Sequence, residues 1–164
     1  MLDRKFFTKI RMNVVARYRE AIFDFDGGGK NARDVFDNKY KAYTSDYRKS
    51  KRTGRLNGQS TAHKDSNAPI LTGALHNSFT FFEFLRNGFS FGSPQWGGKV
   101  KNLERIGRPI STKTKPIPDS VEEYFMDEAK KYCDEELKKT FKSSKVKITM
   151  TWKIIKYKDV LLIT

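Results

Sequence analysis

The stretch Ser78-Phe79-Thr80-Phe81-Phe82-Glu83-Phe84-Leu85-Arg86-Asn87-Gly88-Phe89-Ser90-Phe91 decides the fold. Its first eight residues are rich in aromatic strand formers, Asn87-Gly88 is a strong short-range hairpin signal, and Phe89-Ser90-Phe91 resumes an apolar and polar alternation. The spacing predicts a β-hairpin turning at Asn87-Gly88. Downstream, Gly92-Ser93-Pro94-Gln95-Trp96-Gly97-Gly98 is rich in turn formers, and Val100, Leu103 and Ile106 are spaced for one or two helical turns before Gly107. A proline-punctuated loop then runs from Pro109 to Pro118.

Two helices flank this centre. Over 119–141, Val121, Tyr124, Phe125, Ala129, Tyr132, Cys133, Leu137 and Phe141 fall on one helical stripe. Ser120 and Glu123 have the spacing of a capping box, with acids in the first turn and Lys138, Lys139 and Lys142 near the end, as the helix dipole favours. From Asp3 to about Phe23, Phe7, Ile10, Val14, Tyr18 and Ala21 recur at three- and four-residue spacing, and Gly27-Gly28-Gly29 ends the pattern. Residues 30–69 read as a long polar surface loop in which Val35, Phe36, Tyr40, Tyr43 and Tyr47 mark a short helix, with 48–68 suited to ordering on a partner. At the C-terminus Val146, Ile148, Met150, Trp152 and Ile154 alternate with polar residues, a half-buried strand with a basic outer face, and Val160–Ile163 returns as a last strand. The expected fold is α+β: an antiparallel sheet of about four strands with a β-hairpin, packed against two main helices, with a long polar loop. Residues 1–164 read as a single domain, with 143–164 a C-terminal strand extension.

The 164 residues include 33 Lys plus Arg against 19 Asp plus Glu, a formal charge of +14. Residues 119–142 hold eight acids and five bases, while the remainder holds 28 bases and 11 acids. This balance points to a polyanion or an acidic protein partner. The densest cluster is Arg48-Lys49-Ser50-Lys51-Arg52-Thr53-Gly54-Arg55, and its bases Arg48, Lys49, Lys51, Arg52 and Arg55 are candidate contacts to DNA or to a partner. The longest aliphatic run, Val160–Ile163, is far short of the roughly 20 residues a membrane span needs. The N-terminus lacks the pattern of a secretory signal, so the chain is expected to stay where it is made, and one cysteine excludes an internal disulfide.

Ala21-Ile22-Phe23-Asp24-Phe25-Asp26-Gly27 resembles the first motif of the haloacid-dehalogenase phosphohydrolases, which would make Asp24 the nucleophile and Asp26 the acid/base, assisted by Mg²⁺. The preceding residues have helical spacing where that family has a buried strand, and matching downstream motifs are lacking. An EF-hand would need acidic ligands at Gly28 and Val35. His63 and His76 have no partners at metal spacing and read as surface histidines, and Cys133 falls on the apolar stripe as a core residue. Tyr40, Tyr43 and Tyr47 could stack on bases, although their spacing suits local packing. No catalytic residue, metal or cofactor is expected.

Pro69-Ile70-Leu71-Thr72-Gly73-Ala74-Leu75-His76-Asn77-Ser78 resembles the Leu-Thr-Gly-x-Leu-x-x-Ser signature of the virion morphogenesis family of tailed phages, the tail-completion and neck proteins. In that family the signature leads into a strand and hairpin, then a segment ending in Gly, a loop with Ile-Pro and a long helix. Here Phe79–Leu85, Leu103–Gly107, Lys115–Pro118 and 119–141 follow in that order, over about 130 residues. The signature residues are Leu71, Thr72, Gly73, Leu75, Ser78, Gly107 and Pro118. The resemblance implies a structural, non-enzymatic subunit of a ring-shaped homo-oligomer, with a hexamer as one stoichiometry, at the neck or tail terminator that joins head to tail. Implied partners are other neck, connector and tail proteins and DNA in the channel. The implied location is the virion, assembled in the host cytoplasm, without membrane contact. Glu122, Glu123, Asp127 and Glu128 would form a subunit interface by meeting a basic face of the next copy. The alternatives are a free-standing basic nucleic-acid-binding domain and, behind it, the phosphohydrolase using Asp24 and Asp26.

Overall fold

The computed structural model describes residues 2–53, 65–70, 73–140, 154–157 and 160–163, the last two stretches as backbone. Helix α1, Arg4–Phe23, begins at Asp3, whose carboxylate accepts from the Phe6 N–H at 3.0 Å. That bond satisfies one of the donors every helix start leaves over. The periodic positions Phe7, Ile10, Val14 and Tyr18 are buried, and Ala21 packs partly buried against them. The stop comes ahead of the glycine run: Asp24 caps α1 in the left-handed region at φ 45°. Gly28 and Gly29, both at φ 73°, then complete the turn.

The class is α+β. After α1 come α2 (Ser45–Arg52), α3 (Ala74–Ser78), β1 (Thr80–Leu85), β2 (Gly88–Gly92), α4 (Gly97–Arg105), α5 (Asp119–Thr140) and two short strand segments, β3 (Ile154–Tyr157) and β4 (Val160–Ile163). The strand expected over 146–154 lies, up to residue 153, outside the described residues. The short helix expected around Val35 to Tyr47 is displaced. Residues 33–44 form turns and an isolated bridge, and the helix is α2, capped by the Thr44 hydroxyl. Part of the basic cluster is therefore helical rather than loop.

β1 and β2 form the predicted antiparallel hairpin, but Leu85 pairs with Gly88, so the turn residues are Arg86 and Asn87. Neither has a positive φ, so the turn is not a primed one, whose first central residue has positive φ. A register shift between Phe81 and Glu83 inserts a bulge at Phe82. The extra residue resets the alternation, as bulges do. Phe81 and Phe84 thereby come together, with ring centroids 4.9 Å apart, and the Arg11 guanidinium of α1 lies 5.1 Å from each. β2 does not alternate: all five of its residues are buried.

α1 is the middle layer, packed against α5 on one side and the hairpin on the other. Adjacent residues divide the work, since consecutive helical side chains point about 100° apart. Phe6 meets Phe125 and Tyr132 of α5 at 5.8 and 5.2 Å, whereas Phe7 meets Phe89 of β2 at 6.3 Å. Further along, Tyr18 packs on Phe79 at 5.0 Å and Phe91 at 5.5 Å, and its hydroxyl donates to the Ile110 carbonyl at 2.7 Å. On α5, Val121, Phe125, Ala129 and Cys133 are buried along the predicted stripe. Its start differs from the capping-box reading: the Pro118 carbonyl accepts from the Val121 and Glu122 N–H groups at 3.1 Å, which puts Ser120 inside the helix.

Two substitutions test this arrangement by urea unfolding. Phe125→Ala removes the ring that joins α5 to α1 and is expected to cost about 3–5 kcal/mol. Tyr18→Phe keeps the packing but strands the Ile110 carbonyl, for an expected loss of about 1–3 kcal/mol.

Candidate functional site

Of the residues that carried the resemblance, Gly73, Ser78 and Gly107 hold the backbone. Gly73 caps α3 at φ 80°, and a Cβ there would lie 2.8 Å from the Phe25 ring. A side chain at this position is opposed by both conformation and space. Leu75 packs partly buried against the core. The Ser78 hydroxyl donates to the Leu75 carbonyl at 2.6 Å and meets the Ser93 hydroxyl at 2.6 Å, so it joins the end of α3 to the exit of the hairpin. Gly107, at φ 72°, closes α4 with a paired stop: its N–H donates to the Glu104 carbonyl at 3.0 Å and the Arg108 N–H to the Leu103 carbonyl at 2.8 Å. This is the Schellman arrangement. Pro118 caps α5, and Leu71 and Thr72 lie outside the described residues.

The basic cluster divides into two parts. Lys49 is exposed and Arg48 half-buried on α2, while Arg52 is exposed and pairs with Asp65 at 2.6 Å. Lys51, expected to be a contact residue, is 1% exposed. Its ammonium donates to the Ser66 carbonyl at 2.8 Å and lies 5.2 Å from the Tyr43 ring. Burial, followed by the nearby Arg108 guanidinium, pushes Lys51 down to about 8. Lys51 is thus a structural tie and is withdrawn as a surface contact. Arg55 lies outside the described residues.

Arg108 carries a role that sequence reading missed. It is buried, its two terminal nitrogens donate to the Asn67 and Lys41 carbonyls, and its guanidinium stacks 3.6 Å from the Tyr43 ring. Gly107 was the available clue, since the paired helix stop turns the next residue inward. Around Arg108 opens a groove of about 1120 Å³ between residues 41–47, Pro69 and Ile70, α3 and α4. Its wall is apolar and aromatic through Tyr47, Ile70, Leu75, Trp96 and Leu103, and Lys41 and Lys99 add positive charge. Lys99 covers the Trp96 ring at 3.4 Å. Ile106, read from its spacing as helical and apolar, borders the groove at 50% exposure instead of entering the core.

The acidic set lies on α5. Glu122 is 3.8 Å from Lys115, and Glu128 pairs with Lys131 at 2.7 Å. Glu123 and Asp127 are exposed and have no ion pair among the described residues. α5 packs chiefly on α1, so the acidic face and the basic groove are carried by different elements.

Asp24 is buried and turned into its own loop. Its carboxylate accepts from the Asn31 N–H at 2.7 Å, its carbonyl accepts from the Gly29 N–H at 2.7 Å, and a Cβ on Gly27 would collide with its side chain. The residues before it are helical, as their spacing implied. His76, expected at the surface, is half-buried and stacked on Phe25 at 4.7 Å, and His63 lies outside the described residues. Cys133 is buried, and that burial pushes its thiol up. Among the described residues there is no cluster of three potential metal ligands and no helix long and apolar enough to cross a membrane. Compared with known proteins, the chain matches no family model, no curated protein and no solved structure. The described surfaces are an apolar groove with cations, basic residues on α2 and a separate acidic face.

The burial of Lys51 has a pH signature. The unfolded lysine releases its proton near 10.5 and the folded one near 8, so between these values the unfolded state binds more protons. Stability relative to Lys51→Met should therefore rise with pH across that window. An NMR titration of the Lys51 side chain should show a midpoint near 8, and a midpoint near 10.5 would contradict the burial.

Proposed function

We infer that this chain is a structural subunit of a tailed-phage virion, one copy in a ring at the neck or tail terminator that joins head to tail. The observation that carries this reading is the charge division, with acids on α5 and excess positive charge on α2 and along the groove. Two unlike surfaces on one chain favour head-to-tail contact, which closes into a ring when the rotation allows it. The ordered run from the signature through hairpin, Gly107, Ile117-Pro118 and long helix supports the family, and the signature residues described have the backbone roles a fold-defining motif requires. The reading needs no catalysis, cofactor or metal, and it locates the protein in the virion after assembly in the host cytoplasm, beside other neck, connector and tail proteins.

The same reading includes the four-stranded sheet, in the order β1-β2-β4-β3, with the C-terminal segments closing the hairpin's second edge. In this reading Ser90 faces Leu162 and Phe91 faces Leu161, and the complete burial of β2 supports an interior position for it. Among the described cluster residues, Arg48, Lys49 and Arg52 reach the surface and would face DNA in a channel. A free-standing nucleic-acid-binding domain is the second reading. Against it, Trp96 already has Lys99 on its ring and Tyr43 has Arg108, which leaves less open aromatic face for stacking on bases.

Light scattering over a concentration and salt series tests the assembly. A discrete oligomer should form and weaken as salt rises, because contacts between exposed charges are screened. Glu123→Lys combined with Asp127→Lys should weaken self-association by at least about tenfold. Unchanged assembly in that double variant would remove α5 from the interface.

A further inference from the structure

Residues 33–39 form a small closed loop that points one aromatic outward. Arg33 and Lys39 bridge as antiparallel partners, and the Asp34 N–H donates to the Asn38 carbonyl at 2.9 Å. The Asp34 carboxylate accepts from the Phe36 and Asn38 N–H groups, both at 2.9 Å. Asp37 closes the turn at φ 61°, a conformation that Asp tolerates better than most residues. Val35 is fully buried, with its N–H donating to the Pro109 carbonyl at 3.0 Å, while its neighbour Phe36 is 48% exposed. Phe36 is thus held half-exposed on a constrained turn between two carboxylates, with Arg33 and Lys39 exposed at the base of the loop.

The groove beside α4 has the complementary character: aromatic and aliphatic walls, Lys41 and Lys99 at its sides, and an exposed Ile106. None of residues 33–39 lines it. Knob and hole are therefore separate surfaces, and a knob on one copy entering a hole on the next makes a heterologous contact, the kind that generates rings. We propose that Phe36, flanked by Asp34 and Asp37, is the anchor by which one copy of this chain docks into the groove of a second copy. The proposal rests on the self-assembly in the reading above. The apolar ring supplies buried area, and the carboxylates meet the groove's lysines and fix the register. The loop's closed hydrogen bonding presents the ring already ordered, which lowers the entropic cost of docking.

The test places a photoreactive benzoyl-phenylalanine at position 36 of the full chain and maps the cross-linked peptides, alongside light scattering of Phe36→Ser and Lys99→Glu. Cross-links between copies to 43–47 or 96–108 are expected, with self-association weakened about thirtyfold or more by Phe36→Ser and clearly by Lys99→Glu. The thermal midpoint of Phe36→Ser should stay unchanged because the side chain is outside the core. An oligomer that survives Phe36→Ser and cross-links elsewhere overturns the anchor and leaves the assembly reading standing. A protein that stays monomeric and forms no cross-link between copies at the highest attainable concentration overturns both. A cross-link confined to one chain overturns the proposal, and so does salt-sensitive binding of a mixed-sequence DNA duplex lost in Lys99→Glu without any contact between copies.

Discussion

The described structure depends on Tyr18. Its ring is buried between α1 and the hairpin, in contact with Phe79 at the entry of β1 and Phe91 in β2. A phenol in that position must find a hydrogen-bond partner, and it finds the Ile110 carbonyl. One side chain thus ties the central helix to both strands of the hairpin and to the proline-punctuated loop that delivers α5. Burial also drives its ionisation well above the ordinary tyrosine range, so the hydroxyl stays a donor. Arg19, one residue on, donates to the carbonyls of Asn77 and Phe79 and steadies the same entry. α3, with its glycine cap and Ser78 tie, is held next to this junction.

What could be read from the sequence was what local periodicity encodes. α1 and α5 show their buried stripes directly, and a hairpin was legible because aromatic runs around a turn pair have few other uses. The features that escaped depend on partners far along the chain. Lys51 looks like any surface lysine until Ser66 is brought beneath it, and Arg108 shows its role only when Tyr43, Lys41 and Asn67 converge. The hairpin turn shifted by one residue because the bulge at Phe82 and the cross-strand pairs set the register, and a dipeptide preference does not carry that information. The capping box failed for a related reason: the helix already begins at Asp119, so Ser120 lies inside it and not at the cap. Ile106 had the spacing of a core residue, but the paired stop at Gly107 leaves it outside.

The surfaces left over have a common character. The exposed carboxylates of α5, the basic residues of α2 and the apolar groove are each carried by backbone that is fixed independently of any partner. Such surfaces lose little freedom on contact, so small patches can discriminate between correct and incorrect neighbours. The Asp-x-Asp-Gly element shows the converse. Its first carboxylate accepts from the Asn31 N–H and organises the turn that follows α1.

A clasp joins the end of α2 to residues 65 and 66. Lys51 reaches the Ser66 carbonyl at 2.8 Å, and Arg52 reaches the Asp65 carboxylate at 2.6 Å. The two bonds differ in exposure: Arg52 and Asp65 lie at the surface, where salt screens their attraction, while Lys51 is buried, so rising ionic strength loosens one half of the clasp and leaves the other.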